Sequence, residues 1–423
     1  MFSLHIDTAR SWRGGQSQVM YTVLGLRQLD QRAGLVAHPQ GELYRRMSEG
    51  LDLIPLAPMH EIDLAAAWRL SRVIRQLRPD ILQAHDPHAV AMAATALSIS
   101  SPKPRPPLVA SRRVEFRIAH HSFSRWKYSQ VDCFIANSAA IRDRLVADGI
   151  PRAKTTIVNE GVDVERIVKL PVANVHAELY LPTHAPIVGN VAALVPHKGQ
   201  QHLIDAAAIV VKQVPDVRFV ILGEGELREK LERQIKDKHL ERHVFLAGFR
   251  PNALELTKGF DIFAMSSVSE GMCTALVDAM AASKPAVATA AGGIPEVMQD
   301  GVTGFLTQPR DHVTMAEKLV VLLGDPATCP HGNPIPGSKN AGRMYATTTL
   351  SQAPTGGITV RRVSERLETD DDGLRLISRA HLLPGSEATV IDKRDGVVTV
   401  KTETGEHEVP RSVADHLHIS VGS

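Results

Sequence analysis

Two carboxylates eight residues apart frame the segment of this sequence with the clearest chemical potential. Glu270 follows an apolar run typical of a buried strand, and Asp278 falls in the first turns of the helix that we predict next. The residues between them that would line such a loop are Gly271, Met272 and Cys273. Glycine lets a backbone approach a ligand, and a helix N-terminus offers free N–H groups to an anion. The pattern suits a loop that grips sugar hydroxyls beside a diphosphate, although Asp278 as a simple complement to the helix dipole stays open.

A lysine and several glycines mark further turns between strands and helices. Lys198 and Gly199 follow the strand-like run 186–192, and a lysine there can neutralise a diphosphate leaving group without a metal. Gly14 and Gly15 lie between the first predicted strand and the first helix, where a glycine loop can wrap a phosphate or a substrate. An ordinary surface lysine and ordinary tight turns are the alternatives that these residues leave open.

Positive charge is concentrated in one stretch, although the whole chain is nearly balanced at 48 basic and 46 acidic residues. The basic residues of this stretch are Lys103, Arg105, Arg112, Arg113, Arg117, Arg125 and Lys127, against one acid, Glu115. The run predicts either a solvated face or a surface that meets phosphates or an anionic membrane. His85, Asp86 and His88 imitate a metal-binding pattern, but we favour a cleft-lining or structural role for them.

The order of elements predicts the fold class. The chain has 423 residues, of which 43% are hydrophobic, and this length suggests two or three domains. Strand-like runs alternate with amphipathic helices as far as residue 324, which predicts parallel sheets covered by helices. The sequence around residues 139–148 predicts a helix with Ser138 as its N-cap. The predicted divisions are domains over 1–163, 164–324 and 357–423, with a Pro/Gly-rich linker over 325–356.

These motifs, in this order, resemble the retaining glycosyltransferases of group 1, which are related to sucrose and glycogen synthases and have the GT-B fold. The resemblance runs from Arg13 to about Leu306 and is most specific over 270–278 and 292–297. It implies two Rossmann-like domains that face each other across a cleft. It also implies transfer of a hexose-type sugar from a UDP- or GDP-type donor with the anomeric configuration retained. The nucleotide sugar would be a co-substrate, and no further cofactor would be required.

The resemblance implies a role for each matching residue. Lys198 would hold the diphosphate and Glu270 would bind the donor sugar, and these two are the catalytic candidates. The other donor-binding candidates are Gly14, Gly15, Gly199, Gly271, Met272, Cys273 and Asp278.

Two positions depart from the family pattern. Asp278 replaces the usual glutamate, and Ala193 replaces the usual arginine five residues before the lysine. We expect Arg112 or Arg113 to supply the missing positive charge. His85 is a further candidate contact for phosphate or acceptor.

The last quarter of the chain resembles the SH3-like, FeoA-like C-terminal domain of the diphtheria-toxin-repressor family of iron-dependent regulators. The resemblance rests on the segments 383–390, 409–410 and 417–421 and implies a small barrel of about five strands. Two ancillary metal ligands of that family align with Asp370 and Gly373, and glycine has no side chain to ligate with. We therefore do not expect a transition metal here and interpret Asp370 as the start of a helix. The recognition helix is missing, so we expect no DNA binding.

Cysteine number and hydropathy predict the compartment. Three cysteines in no paired pattern suit reduced thiols, and no apolar run approaches the ~20 residues that span a bilayer. Residues 2–7 are typical of a first strand rather than a signal peptide. We expect a cytoplasmic enzyme with peripheral contact at the inner face of the membrane, acting on a glycan or lipid-linked acceptor in cell-envelope synthesis. Two alternatives stay open: a metal-responsive or partner-binding protein that uses the tail, with the transferase part degraded, and an accidental fusion.

Overall fold

The structure is a computed structural model that describes residues 1–47, 52–100, 102–115, 117–118, 121–324, 347–364, 367, 370–394 and 396–421. Internal contacts divide it into two units. The first unit combines Met1–Val162 with two short segments, Ser269–Ala275 and Gly292–Glu296, and the second holds the remaining described residues. The sequence had placed both short segments in the domain over 164–324. In the structure they belong to the first unit: Gly271 packs against the backbone of Arg113, and Gly293 packs against Gly271 and the Ser138 side chain.

A seven-stranded parallel sheet forms the centre of the first unit. Its strands are β1 (Phe2–Asp7), β2 (Arg32–Ala37), β3 (Asp52–Pro55), β4 (Ile81–Ala84), β5 (Leu108–Arg112), β6 (Cys133–Ala136) and β7 (Thr155–Ile157). Their order is β3-β2-β1-β4-β5-β6-β7. The order reverses between β1 and β4, and doubly wound sheets bind ligands beyond the carboxyl ends of strands at such a switch point.

Helices cover this sheet, and their apolar sides form its core. They are α1 (Gly14–Gln28), α2 (Glu42–Arg46), α3 (Leu64–Leu77), α4 (Pro87–Ser100), α5 (Ser122–Ser129) and α6 (Ala139–Ala147). Leu70 of α3 and Leu4 of β1 belong to the same buried cluster. The Ser138 hydroxyl accepts a hydrogen bond from the N–H of Ile141 at 3.2 Å, which confirms the predicted N-cap of α6.

The second unit contains a six-stranded parallel sheet. Its strands are β8 (Ile187–Val191), β9 (Arg218–Leu222), β10 (Val244–Gly248), β11 (Ile262–Met265), β12 (Ala286–Thr289) and β13 (Phe305–Thr307), in the order β10-β9-β8-β11-β12-β13. The helices along this part of the chain are α7 (Val164–Lys169), α8 (Val175–Glu178), α9 (Gln200–Gln213), α10 (Arg228–Asp237), α11 (Ala253–Lys258), α12 (Thr274–Ala281), α13 (Ile294–Val297) and α14 (His312–Gly324). The order reverses between β8 and β11, which gives this sheet its own switch point.

The tail contains an antiparallel sheet whose buried cluster also includes Val302, which precedes β13. Its strands are β14 (Thr348–Thr349), β15 (Gly356–Val363), β16 (Glu387–Arg394), β17 (Val397–Thr402), β18 (Gly405–Pro410) and β19 (Leu417–Val421), in the order β14-β19-β15-β16-β17-β18. Two helices, α15 (Asp371–Arg379) and α16 (Arg411–Ala414), accompany it. This sheet is compatible with a small β domain, and the SH3-like identity stays a prediction.

Two predictions about the tail can be compared with the structure. The predicted linker over 325–356 lies outside the described residues as far as 346, and Cys329 is in that part. Its end is structured, because β14 falls inside it and Leu350 is fully buried. The Asp370 carboxylate accepts a hydrogen bond from the N–H of Gly373 at 3.2 Å, which confirms it as the start of a helix.

Candidate active site

The loop that carries Glu270 is fixed by close contact between backbones. A Cβ on Gly271 would overlap the carbonyl oxygen of Arg113, and one on Gly293 would overlap the carbonyl oxygen of Gly271. The N–H of Gly293 also donates to that oxygen of Gly271 at 2.9 Å. The sequence predicted that Gly271 lets the backbone approach a ligand, and this stays a prediction. In the structure both glycines allow close contact between backbone segments of the first unit, which sets the position of the loop that carries Glu270.

A buried ion pair lies beside the Glu270 loop. Arg113 Nε donates to Glu160 Oε1 at 2.6 Å, and both side chains are largely buried. Burial raises the pKa of Glu160 above its ordinary value, and the nearby charge of Glu270 also raises it, while Arg113 opposes both effects. Met272 joins this contact, since its sulfur lies 3.0 Å from the backbone nitrogen of Glu160. The loop thus brings two carboxylates and one guanidinium together.

Two neutral histidines extend the Arg113 contact into the sheet. His85 Nδ1 lies 3.2 Å from Arg113 Nη1, its Nε2 lies 3.0 Å from His5 Nδ1, and His5 Nε2 lies 3.0 Å from the Ser3 hydroxyl. A guanidinium can only donate, so His85 Nδ1 accepts and both rings carry their proton on Nε2. Burial and then Arg113 lower the pKa of His5 to about 4, and burial holds the pKa of His85 well below its ordinary value. Both nitrogens of His85 are engaged, which gives this residue a role in positioning Arg113.

Gly14 and Gly15 begin α1 at the switch point of the first sheet. A Cβ on Gly14 would overlap the Thr274 hydroxyl, so this glycine is required by packing within the unit. A Cβ on Gly15 would meet only Arg113 Cδ, at 3.8 Å. Of the two glycines, Gly15 is therefore the one at which a Cβ would fit without overlap.

A buried carboxylate follows β1 at the same switch point. Asp7 Oδ2 accepts a hydrogen bond from Gln16 Nε2 at 3.1 Å, and its Oδ1 accepts one from the N–H of Ala9 at 3.1 Å. Burial, and next the charge of Asp86, raise the pKa of Asp7 to about 6. Asp86 itself accepts hydrogen bonds from the backbone and hydroxyl of Thr8, at 2.7 and 2.9 Å. Within the described ranges, no group of three His, Cys, Asp or Glu residues could hold a metal ion.

Lys198 lies at the switch point of the second sheet, in a single turn of 3-10 helix over Pro196–Lys198. The Ser266 hydroxyl donates to the Lys198 carbonyl oxygen at 3.2 Å. Gly199 has a φ of 63°, and a Cβ there would overlap the carbonyl oxygen of Ser266. The segment after β11 therefore fixes the backbone of Lys198 through contacts that involve no charge.

Asp278 and Ala193, the two departures from the family pattern, also lie in the second unit. Burial raises the pKa of Asp278 to about 6, and the nearby charge of Arg166 opposes this. The Ala193 carbonyl oxygen accepts a hydrogen bond from Gln200 Nε2 at 2.9 Å. Arg166, which the sequence did not single out, is the cation that acts on Asp278.

Several members of the basic run are paired or buried. Lys127 pairs with Glu61 at 2.5 Å and Arg105 pairs with Asp132 at 2.7 Å. Arg112 is largely buried, which lowers its pKa. The charges of Tyr128 and Asp148 oppose this shift of the pKa, whereas the charge of Arg144 adds to it. Of the two arginines proposed to replace the missing charge, Arg113 is the one beside the Glu270 loop.

Sequence reasoning missed His5, Asp7 and Glu160. A signal for the first two existed, because Ser3, His5 and Asp7 occupy alternate positions of a strand whose every residue is buried. Polar residues at a period of two in a buried strand indicate one polar face inside the protein. Glu160 gave no comparable signal, since it lies in a turn rich in polar residues.

Comparison with known proteins agrees with this architecture. The family model Glycosyltransferase Family 4 matches residues 12–166, and the model Glycosyl transferases group 1 matches residues 173–331. These matches and the structural neighbours support a group 1 glycosyltransferase. The chain has a GT-B-like fold of Rossmann type, as expected from the sequence.

Three similar proteins illustrate the relationship. EpsD of Bacillus subtilis is 26% identical over 64% of this chain and 75% of its own length. The GDP-mannose-dependent α-(1-6)-phosphatidylinositol monomannoside mannosyltransferase of Mycolicibacterium smegmatis is 32% identical over 44% of this chain and 51% of its own. This chain thus spans about half of that relative. The structure of HepE from Anabaena in complex with UDP-glucose has a TM-score of 0.67 at 25% identity, covering 77% of this chain and 90% of HepE.

Proposed function

We propose that this glycosyltransferase transfers a hexose-type sugar from a UDP- or GDP-sugar to a glycan or lipid-linked acceptor of the cell envelope, with retention of anomeric configuration. The observation that carries the proposal is the buried Arg113–Glu160 pair beside Glu270, formed by residues that follow β5 and β7 of a doubly wound sheet. Similar proteins support the donor class, because HepE has been solved with UDP and with UDP-glucose. A similar protein of Rhizobium meliloti acts in lipopolysaccharide core biosynthesis, which supports the acceptor class.

Each charged residue has a distinct part in the proposed reaction. The bond between the anomeric carbon and the diphosphate breaks, and a bond to the oxygen of the acceptor hydroxyl forms on the same face of the sugar, while the hydroxyl proton passes to the departing diphosphate. Lys198 stabilises the charge that grows on the departing diphosphate, without a metal. Glu270 accepts hydrogen bonds from donor-sugar hydroxyls, and Asp278 binds the ribose hydroxyls of the nucleotide.

Arg113 is our candidate for the positive charge that Ala193 lacks. It lies beside Glu270, and a second carboxylate, Glu160, together with His85 fixes its orientation. A cation whose orientation is set before the reaction stabilises a developing charge without reorganisation. Gly15 lies next to Arg113, and we propose that substrate contacts both residues.

For the tail we propose a small SH3-like domain without a metal site. Asp370, the one aligned side chain, already serves as an N-cap. We further propose that the enzyme works in the cytoplasm at the membrane surface. Across the described residues, every helix is too short or too polar to span a bilayer.

The test of the proposed function is donor turnover in two variants. A thermal-shift screen of nucleotide sugars first identifies the donor, since a ligand at a hundred times its Kd stabilises a protein by about 2.7 kcal/mol. Lys198→Ala should then lower kcat by roughly two to three powers of ten with a smaller effect on donor affinity. Glu270→Gln should weaken discrimination between donor sugars as well as rate.

A matched lysine provides the control. Lys212 is an exposed lysine in the last turn of α9, and Lys212→Ala should leave turnover unchanged. Melting temperatures of all three variants should stay within a few degrees of the parent. Equal turnover by Lys198→Ala and the parent on every accepted donor would show that the site is assigned wrongly.

A further inference from the structure

Four large apolar side chains within ten residues of the first unit are exposed to solvent. They are Met59 (89% exposed), Ile62 (53%), Leu64 (64%) and Trp68 (50%). Proteins that stay in water normally scatter such side chains singly over the surface. We call these four residues, in the loop before α3 and its first turns, the apolar tip.

Polar contacts hold the backbone of the apolar tip in place. The Asp63 carboxylate accepts hydrogen bonds from the N–H of Ala66 at 2.9 Å and from the N–H of Met59 at 3.0 Å, so it caps α3 and folds the loop at once. Glu61 pairs with the buried Lys127, whose ammonium group also donates to the Pro87 carbonyl oxygen at 3.2 Å. These contacts fix the backbone of the apolar tip, so its exposed side chains have a defined place on the surface.

Helix α3, which begins within the apolar tip, carries positively charged side chains and no negatively charged ones. The sequence of α3 contains Arg69, Arg72 and Arg75, all exposed, and no acidic residue. The guanidinium of Arg72 lies 5.2 Å from the centre of the Trp68 ring. Helix α10 shows the ordinary pattern of a solvated surface, with both signs of charge mixed along it. Two acidic residues lie between the residues of the apolar tip, and both are already engaged. Asp63 caps α3, and Glu61 pairs with Lys127.

We propose that the apolar tip and the arginines of α3 form a docking surface for an anionic lipid membrane. Amphipathic segments of this composition lie in the membrane interface, with apolar side chains at the boundary of headgroups and acyl chains. Tryptophan favours this depth, and arginines pair with lipid phosphates. The surface differs from the basic run over 103–127, in which Arg105 and Lys127 are paired with acids and Arg112 is largely buried.

Charge and shape together favour lipid over other partners. A nucleic acid would engage the arginines but leave Met59, Ile62 and Leu64 in water. A protein partner would cover the apolar side chains but would not require a border of a single sign of charge. An anionic bilayer accounts for both observations. The proposal names a partner for the first unit and does not depend on which sugar the enzyme transfers.

The test measures sedimentation of the full-length protein with vesicles. Vesicles of phosphatidylglycerol and phosphatidylcholine in equal parts should bind the protein at low salt, and high salt or pure phosphatidylcholine should release it. Met59→Ser with Leu64→Ser should weaken binding roughly tenfold or more. Arg69→Gln with Arg72→Gln should weaken it roughly thirtyfold, at about 1 kcal/mol per charge.

Matched variants in the second unit control for general loss of apolar area or charge. Val172→Ser with Tyr180→Ser removes apolar side chains that are also exposed, at 64% and 96%. Arg233→Gln with Arg242→Gln removes two exposed charges on and after α10. Neither pair should change vesicle binding, and circular dichroism should show the parent's melting temperature for every variant.

Three results would overturn the proposal. The protein could fail to bind anionic vesicles at low salt, or bind phosphatidylcholine equally well, or lose binding equally in the control pairs. A concentration-dependent dimer that Met59→Ser disrupts, without vesicle binding, would assign the surface to a second protein copy. Vesicle binding requires no donor, so failure here is distinguishable from failure of the proposed transfer reaction.

Discussion

The Glu270 loop and the Lys198 turn each present a charged side chain after a parallel strand, yet different forces hold them. The Lys198 turn is held by Gly199 against the carbonyl oxygen of Ser266 and by a hydrogen bond from the Ser266 hydroxyl to the Lys198 carbonyl oxygen. The Glu270 loop combines similar backbone contacts with the buried Arg113–Glu160 pair and two neutral histidines. Steric contacts do not titrate, whereas buried charges do. We therefore expect the steric contact of Gly199 to be insensitive to pH and the Arg113–Glu160 pair to depend on it.

The largest effect should come from filling the contact that fixes the Lys198 turn. Gly199→Ala adds a Cβ that overlaps backbone at a φ of 63°, and it should lower the free energy of unfolding by about 3 kcal/mol. Gly149→Ala is the control, because its φ is also positive, at 94°, but its Cβ would meet nothing within 4 Å. It should cost about 1 kcal/mol. Equal losses in urea denaturation would mean that the overlap relaxes and that the turn is not fixed sterically.

Breaking the buried pair beside Glu270 should have an effect of similar size that varies with pH. Arg113→Met leaves the Glu160 carboxylate buried and unpaired, and should cost about 3 kcal/mol at pH 8. The cost should be smaller at pH 5, because protonation then removes the uncompensated charge. The exposed pair is the control: Arg105→Met breaks its contact with Asp132 and should cost at most about 1 kcal/mol. A loss in Arg113→Met that is identical at both pH values would contradict the charge-based account.

A substitution of Asp7 tests whether ionisation of a buried carboxylate in the first unit changes the free energy of unfolding. Its folded pKa of about 6 lies above its ordinary value of 3.8, so between these values the folded state binds more protons than the unfolded state. Its contribution to stability is greatest below pH 3.8 and is lost as pH rises through 6, by at most about 3 kcal/mol. Asp7→Asn should remove this part of the slope when unfolding is measured from pH 4 to 8. An unchanged slope would show that Asp7 titrates normally in the folded protein.

The smallest effect should come from a carboxylate at the start of a helix. Glu296 accepts hydrogen bonds from the N–H groups of Ala139 at 2.8 Å and Ala140 at 3.0 Å, at the N-terminus of α6. Glu296→Gln keeps the shape but loses the charge, and should cost about 0.5–1 kcal/mol. Glu165→Gln alters an exposed glutamate in the first turn of α7 and should cost less. The Glu296 effect should decrease in high salt, and a salt-independent loss would indicate a steric cause.

Features encoded by neighbouring residues were predictable from the sequence. Ser138 and Asp370 were identified as helix starts because an N-cap acts on residues three positions away. The parallel sheets followed from alternating strand and helix patterns for the same reason. The start of the third sheet was missed, because Thr348 and Thr349 form a strand only by pairing with β19.

The polar network beside Glu270 could not be predicted in the same way. His5 and His85 are 80 positions apart, and Arg113 and Glu160 are 47 apart. Their contact depends on the order of strands in the sheet, which a single sequence does not specify. The candidate residues of the site were therefore accessible from motifs, whereas the residues that position them required the structure.

The composition of the first unit has a consequence for synthesis of the protein. Two of its segments, Ser269–Ala275 and Gly292–Glu296, are translated long after Val162, where its main part ends. At ordinary ribosomal rates the interval is on the order of ten seconds. During that time the N–H groups of Ala139 and Ala140 have no Glu296 to bind, and no glycine loop covers the carbonyl oxygen of Arg113. The nascent first unit must remain unaggregated in this incomplete form, and a ribosome that stalls between the two units would release a chain unable to complete its fold.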